Sequence, residues 1–358
     1  MTLSRRRPAV IVREPLYGRV LLPRSARRTA DAHAAPATDH QAVLQDAPTP
    51  PRSTDVRESA PAIEASGLTK RYGGERGIED LTIAVAAGEV FGFLGPNGAG
   101  KTTTIRTLLG LLRPTAGAAR ILGFDSWRDG VAARARTGFL PGEFTFDEQV
   151  TGEELLDLFA DLRGIDDRAF AHSLAERFEA DLRRPLGELS RGNRQKVGLV
   201  QALVHRPPVV VMDEPTTGLD PLMQEEFARL VAELRADGTT VFLSSHNLAE
   251  VERMCDRVGI LREGRLAAVE SVEAITGRAL RHVRLRFAGT VPAGEFRRLP
   301  GVSHLAAAGP ELRFLLAGDP TDVVRTAGHH RLVDIEIARP SLEEAFVAAY
   351  GPQAEGSR

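Results

Sequence analysis

Gly95-Pro96-Asn97-Gly98-Ala99-Gly100-Lys101-Thr102-Thr103 is the stretch that most narrows what this chain can fold into. It fits the pattern G-x-x-x-x-G-K-[ST] of a phosphate-binding loop. Its setting completes the signal. Val90-Phe91-Gly92-Phe93-Leu94 before it is an apolar run of strand length, and Thr102 to Leu112 after it has helical character. A loop between a buried strand and a helix N-terminus aims successive backbone N–H groups at an anion, and the helix dipole adds its positive end. Gly95, Gly98 and Gly100 let the backbone take conformations that a Cβ would forbid, close against phosphate oxygens. Lys101 would then contact the β- and γ-phosphates, and the Thr102 hydroxyl would ligate Mg²⁺.

The rest of the chain must supply a core for that loop. Its 358 residues allow two domains, or one large domain with additions, and 42% hydrophobic content is enough for a buried interior. A formal net charge of −2 gives no global field to draw nucleic acid, so no nucleic-acid partner is expected. A single cysteine, Cys255, rules out an intrachain disulfide and any zinc-ligand spacing, consistent with a reducing compartment. No apolar run approaches the roughly 20 residues that span a bilayer, so a transmembrane role would run through a partner. Residues 1–61 are rich in Ala, Pro, Arg, Thr and Asp and poor in large apolar side chains after Leu22. Such a stretch cannot offset its ordering entropy, and a disordered tail is expected. Pro8 to Val12, after Arg5-Arg6-Arg7, is too short for a signal peptide and is interrupted by Arg13 and Glu14.

From Ala62 the pattern turns regular. Ile63-Glu64-Ala65 is a short strand, Thr69 to Gly74 a turn carrying Tyr72, and Leu81, Ile83 and Val85 alternate as a strand does. Ala119 to Leu122 follows the turn Arg113 to Gly117. From Thr151 to Ala180 the spacing is helical: Leu155, Leu158, Phe159 and Leu162, then Phe170, Leu174 and Phe178, with Gly164-Ile165-Asp166 between. Ser190 caps the next helix, and Val209 to Met212 is a buried strand ending in Asp213-Glu214-Pro215. A helix over Leu222 to Ala236 leads to the strand Thr240 to Leu243, which ends in Ser244-Ser245-His246. Leu248 to Met254 is helical, and Val258 to Leu261 with Leu266 to Val269 forms a hairpin. Strands alternating with helices imply an α/β fold, a largely parallel three-layer core over 62–275 with a helical insertion at about 144–190. From Arg281 the texture changes. Val283, Leu285 and Phe287 alternate, as do Leu312, Phe314 and Leu316, and Val333, Ile335 and Ile337. Three short strands with helical stretches predict a small α+β accessory domain over 280–350, closed by a capped helix from Arg339 to Phe346.

One phosphate loop leaves many kinases and GTPases open; the other stretches close that choice. Asp213-Glu214 at the end of an apolar strand resembles a Walker B motif with an adjacent catalytic carboxylate. Leu189-Ser190-Arg191-Gly192-Asn193-Arg194-Gln195 resembles the LSGGQ-type signature of ABC ATPases. It departs at Arg191, where Gly is commonest, and at Asn193, and keeps Ser190 and Gly192. Gly218-Leu219-Asp220 resembles the D-loop, His246 the switch histidine, and Tyr72 the aromatic that stacks on adenine. With these motifs in the family's order over 62–270, the chain resembles the ATP-binding subunits of ABC transporters. Its C-terminal segment looks like the accessory domain of the bacterial exporter type.

The resemblance implies a P-loop NTPase fold with ATP and Mg²⁺ as cofactors. It implies nucleotide contacts from Tyr72, Gly95, Pro96, Asn97, Gly98, Ala99, Gly100, Lys101, Thr102, Thr103, Ser190, Gly192 and Asp220. Glu214 would deprotonate the attacking water with His246 as its catalytic partner, and Thr102 and Asp213 would hold the metal. The family normally has a Gln after the strand matching Gly138-Phe139-Leu140-Pro141. Here Gly142 and Glu143 follow, so either Glu143 takes that glutamine's place at the metal or the loop backbone and a water do. The implied partners are an integral-membrane permease and a second copy of the chain, or a paired ATPase subunit, with ATP at the interface. The implied location is the cytoplasmic face of the cell membrane. A second class, a soluble ABC ATPase acting on ribosomes or DNA, usually carries two cassettes, long coiled coils or zinc modules. This chain has one cassette, no sustained heptads and one cysteine.

Overall fold

The computed structural model describes residues 60–342 apart from 74, 279, 290 and 340. The expected tail thus falls almost wholly outside the described residues, as does the expected closing helix beyond Leu342.

The described chain begins as an antiparallel hairpin, β1 (Ile63–Tyr72) with β2 (Glu75–Val85). β1 runs seven residues beyond the short strand expected, and Thr69 to Tyr72 belongs to it rather than to a turn. The reason is pairing: Lys70 stands opposite Ile78 and Tyr72 opposite Glu75, with register shifts between. β3 (Val90–Leu94) leads through the glycine-rich loop into α1 (Lys101–Leu108). α1 stops short of Leu112 because Gly110 turns the chain at φ 64°, where an added Cβ would lie 1.8 Å from the Ser126 carbonyl oxygen. β4 (Ala116–Ile121) pairs with β1, and β5 (Phe124–Asp125) with β4; α2 (Gly130–Ala135) and β6 (Thr137–Leu140) follow. Next come α3 (Gly152–Leu162), α4 (Ala169–Arg177), α5 (Arg191–Leu203), β7 (Val209–Asp213), α6 (Pro221–Ala236), β8 (Thr240–Ser245) and α7 (Leu248–Met254). β9 (Arg257–Arg262), β10 (Arg265–Ser271) and α8 (Val272–Arg278) complete this part.

Six strands form the central sheet in the order β10-β9-β3-β8-β7-β6, parallel throughout except for β10. A strand buried on both faces reads as a near-continuous apolar run; β3 and β7 are fully buried, and of their residues only Asp213, at the end of β7, is charged. Their side chains alternate between two cores. Val209 and Val211 join a cluster with Phe91, Phe93, Phe242, Ile105 and Leu108, roofed by the antiparallel sheet β2-β1-β4-β5. Val210 and Met212 face the opposite cluster, with Leu155, Phe178, Val197, Phe227 and Val251 of the helices. The result is the three-layer α/β core that the alternation of elements implied. Within α3, Leu155 and Leu156 are buried but Leu162 is exposed, so the helical stripe ends before the last turn.

Phe91 is fully buried and stacks on Phe242 with ring centroids 5.6 Å apart, inside the strand that feeds the loop. Phe91→Ala should therefore cost about 3–5 kcal/mol of unfolding free energy. Chemical denaturation with an unchanged m-value checks this, and a loss under about 1 kcal/mol would mean that the two sheets do not close on this ring.

The chain continues as β11 (Arg281–Phe287), α9 (Ala293–Phe296), β12 (Val302–Ala308), β13 (Glu311–Leu316), α10 (Thr321–Gly328) and β14 (Leu332–Ala338). These strands form an antiparallel sheet in the order β12-β13-β11-β14, four strands rather than three. β12 is not legible in the sequence because its Ala-rich run offers no apolar alternation. Val283, Leu285, Phe287, Phe296, Phe314 and Val323 give this part a core of its own. Leu342 instead enters the helix-side core, and its N–H donates to Glu252 Oε2 at 2.9 Å. Among the described residues, no helix is long and apolar enough to cross a membrane.

Candidate functional site

The glycine-rich loop sits at the C-terminal end of β3, where the strand order passes from β9 on one side to β8 on the other. This is the crevice in which open α/β sheets place ligands. Two glycines are required by the geometry. At Gly100, φ is 108° and a Cβ would meet Ile78 Cγ2 at 2.9 Å; at Gly95 a Cβ would lie 2.6 Å from the Leu261 carbonyl oxygen. Gly100 ends the loop and opens α1, so the first N–H groups of that helix point into the crevice without a side-chain cap.

Lys101, only 6% exposed, is held by three oxygens. Its ammonium donates to the carbonyls of Gly95 at 2.6 Å and Pro96 at 3.4 Å, and pairs with Glu214 Oε1 at 3.1 Å. Thr102 Oγ1 donates to Asp213 Oδ2 at 2.7 Å, and Ser244 Oγ to Asp213 Oδ1 at 2.5 Å. The other Glu214 oxygen lies 2.7 Å from His246 Nδ1. Glu214 has φ +50°, an uncommon conformation for a residue with a side chain. Its N–H is fixed by Ser244, through the carbonyl oxygen at 3.2 Å and Oγ at 3.0 Å. β7 thus ends with Asp213 turned toward Thr102, and the left-handed residue that follows carries its carboxylate to Lys101 and His246.

Thr102, Asp213, Glu214 and His246 line one cavity of about 450 Å³ together with Asn97, Arg106, Phe139, Gly142, Glu143 and Arg191. Pro96, Gly98, Gly100, Lys101 and Thr103 line an adjoining hollow that shares Asn97, Thr102 and Glu214. Ala99 is buried beneath the loop, its N–H donating to the Pro96 carbonyl at 3.1 Å. Tyr72 is half exposed, with the Lys70 ammonium 5.4 Å from its ring centroid. Gly77 lies between ring and loop, since a Cβ there would stand 3.1 Å from Tyr72 Cε2 and the Gly77 carbonyl is close to Gly100.

Ser190, Gly192 and Asp220 are not part of that cavity wall. Ser190 caps α5, its Oγ accepting from Asn193 N–H at 3.2 Å. Gly192 packs on Gly218 so closely that a Cβ would lie 2.4 Å from the Gly218 carbonyl oxygen. Asp220 caps α6, accepting from Leu222 and Met223 N–H. The signature and D-loop stretches thus pack on each other at Gly192 and Gly218, while Ser190, Gly192 and Asp220 stand outside the cavity that the loop lines. Glu143 lines the cavity from an exposed position, with no hydrogen bond or ion pair among the described residues. Sequence reasoning missed Ser244, which holds both Asp213 and Glu214, although it lies two residues before His246. It also missed Glu250, buried and accepting from Thr216 at 2.8 Å and Ser245 at 3.0 Å, which braces the turns on either side.

No three His, Cys, Asp or Glu side chains gather as a metal centre among the described residues. Two hard oxygens, Thr102 Oγ1 and Asp213 Oδ2, stand 2.7 Å apart, next to the loop that would carry phosphates. That is the donor set of a cation such as Mg²⁺, which takes one or two protein oxygens and fills its shell with phosphate and water.

A family model described as ABC transporter matches residues 78–217. The chain is 37% identical over 310 residues to a daunorubicin resistance ATP-binding protein of Streptomyces coeruleorubidus, covering 81% of this chain and 96% of that one. It is 38% identical over 207 residues to a bacitracin transport ATP-binding protein of Bacillus licheniformis, covering 57% and 68%. It is 35% identical over 301 residues to a Nod factor export ATP-binding protein of Rhizobium sp., covering 82% and 98%. A solved structure titled as an ATP-binding subunit of an ABC transporter superposes with a TM-score of 0.56 at 33% identity, over 60% of this chain and 91% of that one.

Proposed function

Because this chain belongs to the ATP-binding proteins of ABC transporters, we propose that it binds ATP and hydrolyses it to drive export through a separate membrane permease. The observation that carries the reading is the meeting of Lys101 and Thr102, at the N-terminus of α1, with Asp213, Glu214 and His246 at the ends of two neighbouring strands.

ATP hydrolysis itself follows from membership of the family. The roles of single residues are inferred from chemistry. Phosphate oxygens would accept the loop N–H groups and take Lys101 over from the Gly95 and Pro96 carbonyls. Tyr72 would stack on the base. Glu214 would orient the attacking water and accept its proton as the oxygen bonds to the γ-phosphorus and the bond to the ADP oxygen breaks. His246, hydrogen-bonded to Glu214, would hold that carboxylate in place. Thr102 and Asp213 would hold Mg²⁺, which when bound neutralises charge on the phosphates.

Ser190, Gly192 and Asp220 would complete the site of a second copy. A Ser hydroxyl and free N–H groups at a helix N-terminus are phosphate ligands, and in their own chain Ser190, Gly192 and Asp220 do not line the cavity beside the loop. Two copies related by a twofold axis would form two equal sites. A chain without a membrane-spanning helix among its described residues would reach the bilayer by docking on the cytoplasmic side of its permease. The daunorubicin, bacitracin and Nod factor relatives support an exporter over a ribosome- or DNA-acting ATPase.

The test is phosphate release by the full chain copurified with its permease in detergent. Release should depend on Mg²⁺, stop when EDTA removes it, and rise when a transported compound is added. ATP turnover that ignores permease and compound alike would contradict the coupling.

A further inference from the structure

Glu143 and Arg191 stand where the family pattern has neither a carboxylate nor a guanidinium, and the fold sets both, 48 residues apart in the chain, on the walls of the same two cavities. Both line the cavity that holds Thr102, Asp213 and Glu214. Both also line a second, smaller cavity of about 170 Å³ with Gly142, Phe144, Thr145, Arg194 and Gln195. The second cavity has a simple origin. Arg191, Arg194, Gln195 and Gly198 fall at i, i+3, i+4 and i+7 and so share one face of α5. The segment after β6 lies along that face. Phe144 is buried against Gly198, where a Cβ would lie 2.7 Å from the ring. Gly142, at the segment's other end, is so close to Asp213 that a Cβ would stand 3.3–3.5 Å from its backbone oxygen and carboxylate. Glu143 is thus carried between Asp213 and the arginine end of α5. Glu143 and Arg191 are both exposed, and among the described residues neither side chain has a hydrogen bond or ion pair.

We propose that Glu143 and Arg191 pair with each other when α5 closes toward the ATP-bound site, and that this pair, rather than a metal bond from Glu143, sets the distance between Asp213 and the Ser190 cap. The inference rests on the ATP-hydrolysing reading above. Arg191 follows Ser190 directly, so fixing its guanidinium fixes the N-terminus of α5. Glu143 follows Gly142, so fixing its carboxylate fixes the segment that touches Asp213. Of the two arginines, Arg191 is the one that borders both cavities. Both groups are positioning residues. Their loss should lower turnover and leave ATP affinity in place.

Charge reversal tests this in the full chain, with ATP and Mg²⁺ as the probes. Glu143→Arg and Arg191→Glu should each lower kcat about tenfold or more, because each sets like charges side by side, while KM for ATP stays within about threefold. The double variant restores the pair with reversed sense and should recover most of the lost kcat. ATP binding by calorimetry confirms that each variant is folded, since both side chains are exposed. A double variant no faster than the slower single variant overturns the proposal, and does so in favour of Glu143 acting on the metal directly. Either single variant turning over at the normal rate also overturns it. Absence of hydrolysis in the unmodified chain removes the underlying reading instead, and this proposal with it.

Discussion

Lys101→Ala should leave no ATP binding that calorimetry can measure at micromolar protein. The Lys101 ammonium is the one cation buried in the phosphate loop, and two loop carbonyls and Glu214 already fix its position. A phosphate arriving there takes the place of one of these oxygens and gains a charge-assisted bond to an ammonium already held in the loop. Loss of such a bond costs about 3 kcal/mol or more where water is largely excluded, which is at least about a hundredfold in affinity. The substitution also frees Glu214, whose carboxylate then faces the incoming phosphates with no counter-charge, and this repulsion adds to the loss. Stability should change far less than affinity, because Lys101 lies at the edge of the core clusters rather than inside them. Near-normal ATP affinity in a folded Lys101→Ala chain would remove the loop from the site.

Glu214→Gln should separate binding from turnover. The amide keeps the size and the bond to His246 but cannot accept a proton, so hydrolysis should fall by about 10²–10⁴-fold, the range of a general base. ATP affinity should hold or rise, since the carboxylate that pairs with Lys101 no longer competes with the phosphates for it. With ATP and Mg²⁺ present, the variant should elute as a stable dimer on gel filtration, because bound nucleotide persists at the interface. Hydrolysis at the unmodified rate would mean that another group takes the proton.

The parts legible in the sequence were those with the strongest physical constraint. β3 and β7 are buried on both faces, so their apolar runs could belong to nothing but central strands. Ser190 showed as a cap because a hydroxyl before an amphipathic run satisfies a helix N–H. The misreadings have equally local causes. Thr69 to Tyr72 carries turn-like polar residues, yet the ladder to β2 holds it extended. The end of α1 depends on the backbone of Gly110 and its contact at Ser126, which no pattern near Leu112 reveals. At the site, Asp213, Glu214 and His246 could be singled out from motifs, but their mutual geometry depends on Ser244 and on the positive φ of Glu214. Arg191 stood out only as a departure from a pattern. Its place on the cavity wall with Glu143 is a product of tertiary packing.

We propose that each nucleotide is held by Lys101 of one copy and Ser190 of another. Mixing two inactive variants tests it most directly. Lys101→Ala lacks the loop cation. Ser190→Arg fills the α5 N-terminus with a bulky cation and should still bind ATP as a monomer. A dimer of one of each has one site with both defects and one site with neither. ATP-dependent association by sedimentation and a fraction of the normal hydrolysis should therefore return in the mixture, although neither variant shows them alone. A Ser190→Arg chain that dimerises and hydrolyses ATP normally by itself would contradict the claim.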